Sequence, residues 1–262
     1  MLQFLLPASG LLYISRLDEH MRFSLHHYLI AGALLSGAVM AHAQSRPAVV
    51  ELFTSQGCSS CPPADTYIGE LAQRRDVLAL SFHVDYWDDQ GWRDRFGLPE
   101  AVQRQREYAK ILRLPSVYTP QVVIDGRDNF VGNDRASIGR ALTGTRSGVA
   151  VALSVHDGDV LVDLGEQQPD WAARQKGAPS DVLLVAYLRT AVSPIGRGEN
   201  AGRTLKEFNI VRGVRSLGRW SGQKQQYRSR VDSFPPDATD VAVLVQPVRQ
   251  APIIGAATIA LR

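Results

Sequence analysis

Apolar and polar positions between residues 48 and 142 alternate between two periods. The run Ala48-Val49-Val50-Glu51-Leu52-Phe53 is almost continuously apolar and reads as a buried strand. A helical pattern begins at Ala64 and predicts a helix over about 64–74. A second apolar run, 77–84, predicts another strand, followed by a polar aromatic loop at 85–92 and a helix at about 99–112. Gln121–Ile124 reads as a strand, Asp125-Gly126 as a hairpin turn, and a short strand ends near Val131. Asn133 is placed to cap a last helix through Leu142. Alternation of this kind predicts an α/β layer with helices on both faces of one sheet.

Beyond residue 147 the period changes to two. Strands are expected at 149–155, 160–164, 181–189, 208–215, 226–231, 240–245 and 256–261, with a polar loop at 166–180. Short strands separated by turn signals predict a mostly antiparallel, sandwich-like β-rich domain. The expected organisation is therefore a first domain at 47–146 and a second at 147–262.

The N-terminus departs from both patterns. A basic start near Met21-Arg22, an apolar core at 28–40 and Ala41-His42-Ala43 describe a secretory signal peptide cut after Ala43. The apolar run is too short for a comfortable membrane span. Residues 1–43 are read as a leader, with Met21 its expected start, and the rest as a periplasmic or secreted protein without a membrane span. The net charge of +3 is small. The basic residues of the 99–112 helix are interleaved with Glu100 and Glu107, which argues a solvated face and no nucleic-acid partner.

The chain has two cysteines, both in Gly57-Cys58-Ser59-Ser60-Cys61-Pro62-Pro63. They lie at a strand-to-helix junction, where helix N-terminal amides stabilise a thiolate. They can pair with each other, with a partner molecule or with a metal. Export places them where disulfides persist. A bridge across so small a loop removes little unfolded-state entropy, which favours chemistry over stapling. In a site of this type Cys58 attacks and Cys61 resolves. Tyr118-Thr119-Pro120 precedes the 121–124 strand, and the Thr119–Pro120 bond is expected to be cis, offering an edge to an extended substrate.

The cysteine pair, this proline and the Asp125-Gly126 hairpin together resemble the thioredoxin superfamily. More narrowly, Val50 through Asp65, His83-Val84-Asp85-Tyr86-Trp87-Asp88, Tyr118-Thr119-Pro120-Gln121 and Gly198-Glu199-Asn200 resemble the secreted DUF1223 family over roughly 47–262. The resemblance implies a thioredoxin-like domain with an appended β-rich region. There are departures. Thioredoxins usually carry Trp where this chain has Gly57, and Pro62-Pro63 suggest a helix that starts late or kinks. The stretch between Cys58 and Pro120 is longer than in a minimal thioredoxin, and Trp87, Trp92 and the 99–112 helix are placed to roof the site.

The function expected is thiol–disulfide exchange by Cys58 and Cys61, with Thr119 and Pro120 contacting substrate and no cofactor. Partners would be a protein or small thiol or disulfide, and a further redox protein. One alternative is copper or zinc binding by Cys58, Cys61 and His83. The other is a binding protein whose disulfide only pins a loop. The segment 196–203 lacks phosphate-loop spacing and reads as a hairpin loop. Its Arg197, Glu199, Asn200 and Arg203 could reach a partner or the redox face.

Overall fold

Strand β1 (Ala48–Thr54) and strand β2 (Val77–His83) are buried along their whole length and run parallel, from Ala48 beside Val77 to Thr54 beside His83. Near-continuous apolar runs belong to strands covered on both faces. On its other edge β1 pairs antiparallel with β3 (Gln121–Ile124), which turns through Asp125-Gly126 into β4 (Asp128–Val131). Asp125 and Gly126 both take positive φ, 52° and 65°, as the turn requires. The Asp125 carboxylate accepts from Val49 N, Arg46 and Arg146, which ties the turn to the start of β1. This computed structural model describes residues 45–167, 179–248 and 252–261. The leader at 1–43, with Met21, and most of the expected 166–180 loop lie outside the described residues.

Strands after residue 147 do not all form a layer of their own. β7 (Ser180–Pro194), β8 (Thr204–Trp220), β10 (Asp240–Pro247) and β11 (Gly255–Ala260) extend the first sheet, whose order is β11-β10-β7-β8-β2-β1-β3-β4. The result is a sheet-rich α/β fold on a mixed eight-stranded sheet. β5 (Val151–His156), β6 (Asp159–Leu164) and β9 (Gln225–Arg230) make a separate antiparallel sheet. The junction of β2 with β8 is thin in backbone terms, resting on Ser81 beside Ile210. Side chains reinforce it, with Ser81 Oγ on Phe208 O at 2.8 Å and Asn209 Nδ2 on Ala79 O at 2.8 Å.

Among the described residues, three α-helices complete the layers. α1 (Pro62–Leu71) and α3 (Arg135–Ala141) pack with Val50, Leu52, Ala79, Val122 and Ile124 on one face. α2 (Pro99–Ile111) covers Val49, Phe53, Leu80 and Phe82 on the other. Along β10, Val241, Val243 and Val245 meet the small sheet, whereas Ala242 and Leu244 join the core beside α2. Among the described residues no helix is long and apolar enough to cross a membrane.

The α2 face carries one charge pair inside the core. Glu51 of β1 is fully buried, and Arg104 grips it with Nε at 2.5 Å and Nη2 at 3.1 Å. Tyr108 Oη donates to the same carboxylate, and Gln246 of β10 joins both partners. Burial alone would ease the proton off Arg104, but the Glu51 charge outweighs it and holds the guanidinium protonated. Burial likewise pushes the Tyr108 phenol well up, so it stays neutral and donating. Arg104→Leu would leave Glu51 as a buried carboxylate without its cation. We expect a loss of about 3–5 kcal/mol in urea unfolding, and a loss below about 1 kcal/mol would contradict this role.

Candidate active site

β1 ends at Thr54 and delivers a buried turn, Ser55-Gln56-Gly57, that leads into Cys58. Cys58 N donates to Ser55 O at 3.1 Å and Cys61 N to Cys58 O at 3.2 Å, so the chain doubles back within four residues. Cys58 and Cys61 form a disulfide, with Cα atoms 5.5 Å apart. Cys61 is the N-cap of α1, and its carbonyl accepts from Ala64 N and Asp65 N. The helix starts at Pro62 itself, which corrects the expected late or kinked start. The two prolines fill the first helical positions, where no amide hydrogen is needed. Ser59 and Ser60 are exposed, whereas both cysteines are buried at 0% exposure.

Three segments distant in sequence close around this turn. The Thr119–Pro120 bond is cis, as its position before β3 predicts. Because Phe53 pairs with Gln121, Pro120 comes alongside the end of β1. Trp87 links this segment to the cysteine turn: its Nε1 donates to Thr119 Oγ1 at 2.8 Å, and its Cβ lies 3.1 Å from where a Gly57 Cβ would sit. That contact gives the departure at Gly57 a steric reason. Gly132 fits between Pro120 and Ala64, where a Cβ would come within 3.0 Å of both. Asn133 Nδ2 donates to Ser60 O at 2.9 Å, so it does not cap α3; Asp134 does, accepting from Ser137 N. Trp87 and Trp92 border the site, but α2 does not roof it. It supports the strand entry instead, through Gln105 Nε2 on Tyr118 O at 2.7 Å and Gln121 Oε1 at 2.8 Å.

The third segment is the β7–β8 loop. Asn200 Nδ2 donates to Gln56 O at 3.0 Å and Cys58 O at 2.9 Å, and Glu199 Oε2 accepts from Ser59 N at 3.1 Å. Of the set expected to face the site or a partner, Glu199 and Asn200 are therefore at the cysteines. Arg203 reaches them only through Asn200 Oδ1, at 3.0 Å.

Beneath the turn lies a buried polar layer. Thr54 Oγ1 donates to Asp65 Oδ1 at 2.7 Å. Gln56 N donates to Asp94 Oδ2 at 2.8 Å, and Gln56 Nε2 donates to Glu207 Oε1 and Ser193 Oγ. His83, the last residue of β2, sets Nδ1 2.7 Å from Asp94 Oδ2, with Nε2 3.9 Å from Glu207 Oε1. Burial raises the Asp65 carboxyl from 3.8 to about 7, against the pull of His83 and Thr54. Burial alone would lower His83, but Asp94, Glu207 and Asp65 hold it up at about 9, so it is an imidazolium at neutral pH. Burial works against Asp94 ionisation, yet His83 and the Gln56 and Phe96 amides keep its carboxyl below the ordinary value. Among the described residues, no group of three or more His, Cys, Asp or Glu is disposed to hold a metal. The Cys58, Cys61 and His83 set is not gathered as ligands. Gln56, Asp94 and Glu207 are the site residues that motif reading misses. For Glu207 a signal exists, since it alternates inward with Leu205 in β8.

The model of a family described as "Protein of unknown function (DUF1223)" matches residues 49–246. Comparison with curated proteins gives no match. The chain is similar to the solved structure of protein AGR_C_4864 from Agrobacterium tumefaciens, at 30% identity and a TM-score of 0.68, covering 83% of this chain and 96% of that one. It shares its fold with HBP35 of Porphyromonas gingivalis, at 17% identity and a TM-score of 0.57, covering 83% and 76% of the two chains.

The buried layer has a pH signature. A folded-state value above the unfolded one means that the folded protein keeps a proton the unfolded chain has lost, so stability falls as pH rises between the two. For Asp65 that window runs from 3.8 to about 7, and for His83 from 6.5 to about 9. Asp65→Asn should therefore lose stability less steeply than the parent protein across the lower window, read by urea unfolding at several pH values. Parallel curves would contradict the assignment.

Proposed function

The chain belongs to the DUF1223 family, and from that premise we propose that it is an exported thiol–disulfide oxidoreductase with a thioredoxin-like site. The observation that carries the reading is the Cys58–Cys61 disulfide at the start of α1, with the cis Thr119–Pro120 segment beside it. In the reduced protein the Cys58 thiolate attacks one sulfur of a substrate disulfide, forming a mixed disulfide and releasing a substrate thiolate. Cys61 then loses its proton and attacks the Cys58 sulfur. That step frees the second substrate thiolate and restores the Cys58–Cys61 bond, so two electrons pass to the substrate. Run backwards, the same steps oxidise a dithiol. Pro62 and Pro63 carry no amide hydrogen, so the helix favours the thiolate through the positive end of its dipole and not through amide donors. Thr119 and Pro120 border the path a substrate segment would take, and a second redox protein would reset the pair. The sequence pattern at 21–43 supports a periplasmic or secreted location.

A second reading, a binding protein with a structural disulfide, is favoured by the complete burial of both cysteines. The two readings diverge on mutation. Under the first, Cys58→Ser abolishes exchange with glutathione disulfide, and Cys61→Ser accumulates a mixed disulfide on Cys58. These outcomes are read by exchange kinetics and mass spectrometry, and unchanged rates in both variants would sink the enzyme.

A further inference from the structure

The β7–β8 hairpin is far longer than pairing of its strands with β10 requires. Its free end carries the loop 195–203 to the cysteines. The loop is closed at its base by Ile195 N on Arg203 O at 2.9 Å and Gly202 N on Ile195 O at 2.8 Å. It rests on the 90–92 turn, where a Cβ at Gly198, whose φ is +73°, would come within 3.0 Å of Trp92 Cβ. Two adjacent residues then make three hydrogen bonds to the backbone of Gln56, Cys58 and Ser59. Asn200 is 1% exposed, and Arg203 on its oxygen leaves the NH2 group aimed at the two carbonyls. Glu199 stands at the surface with its carboxylate on the Ser59 amide, and the Ser59 hydroxyl and that amide hold its carboxyl below the ordinary range. The exchange steps described above use neither side chain.

We propose that Glu199 and Asn200 are positioning residues that set the reactivity of Cys58. Asn200 fixes the Cys58 carbonyl, and Glu199 keeps a negative charge one amide bond from the residue that must become a thiolate. The disulfide carries no charge, so Glu199 costs nothing while the pair is oxidised. On reduction, its carboxylate repels the Cys58 thiolate and occupies an amide that would otherwise help to stabilise it. Both effects act in one direction: Glu199 restrains thiolate formation and biases the pair toward the disulfide. The other ionisable groups packed around the turn are Asp65 from α1, His83 from β2, Asp94 from the β2–α2 connection and Glu207 from β8, with the Arg203 guanidinium on Asn200 Oδ1 in the loop itself. The four carboxyl and imidazole groups lie in the buried layer beneath the turn, and Arg203 is kept in every variant of the test below.

The inference rests on the exchange reading only in taking Cys58 as the reactive thiol, and its test needs no turnover. In the Cys61→Ser protein Cys58 is the sole thiol, and its alkylation by iodoacetamide is followed against pH. Adding Glu199→Gln keeps an oxygen for the Ser59 amide but removes the charge. The midpoint of the profile should move to lower pH by about half a unit at low salt, and by less in 1 M salt. Glu199→Ala should move it in the same direction. An unmoved midpoint for Glu199→Gln, or a shift confined to Glu199→Ala, would overturn the charge role. Loss of glutathione exchange in the parent protein, with the Glu199→Gln shift intact, would count against the enzyme and leave this inference standing.

Discussion

Gln56 is buried, and every polar group of its side chain is satisfied by a different part of the chain. Its NH2 group serves Glu207 of β8 and Ser193 of β7, and its carbonyl takes Trp92 Nε1 at 3.0 Å. Its backbone is held equally, the amide by Asp94 and the carbonyl by Asn200. An amide left unpaired at this depth would cost on the order of 1–3 kcal/mol per group, so the four segments must arrive together. This one residue, two positions before Cys58, joins the end of β1 to the aromatic loop and to the long hairpin. The conformation of the cysteine turn depends on it.

The two faces of the central sheet handle charge in different ways. On the α2 side, Glu51 and Arg104 form a buried network with Tyr108 and Gln246. Its consequence is a fixed position for α2, and through Gln105 a fixed approach to Pro120. Beneath the cysteines, Asp65, His83, Asp94 and Glu207 share less charge balance, and Asp65 titrates near neutral pH. Charge on the first face anchors the scaffold. Charge on the second face lies directly beneath the cysteine turn, where Gln56 N meets Asp94 and Gln56 Nε2 meets Glu207.

Much of this was legible in the chain. The strands before residue 147, the helix following the cysteines, the Asp125-Gly126 turn and the cis Pro120 follow from apolar runs, turn chemistry and motif order. The helix start was misjudged because two prolines suggest a break, whereas the first helical turn needs no amide hydrogens. The later strands were visible by their period of two, but alternation says nothing of which sheet a strand joins. The addition of β8 to β2 rests on one backbone pairing, Ser81 beside Ile210, reinforced by the Ser81 and Asn209 side chains, and none of these has a sequence pattern. The polar layer was hidden for a related reason: Gln56, Asp94 and Glu207 meet only once three distant segments fold onto one another. Glu199 and Asn200 were visible as candidates, though not their attachment to the Cys58 turn.

The reduction potential of the Cys58–Cys61 pair, measured by equilibration with dithiothreitol or glutathione buffers, tests the central claim most directly. A pair that exchanges with substrates is expected to have a potential above about −300 mV, within reach of cellular thiols. A potential below about −300 mV would mark a structural bridge and contradict the assignment of this site to disulfide exchange.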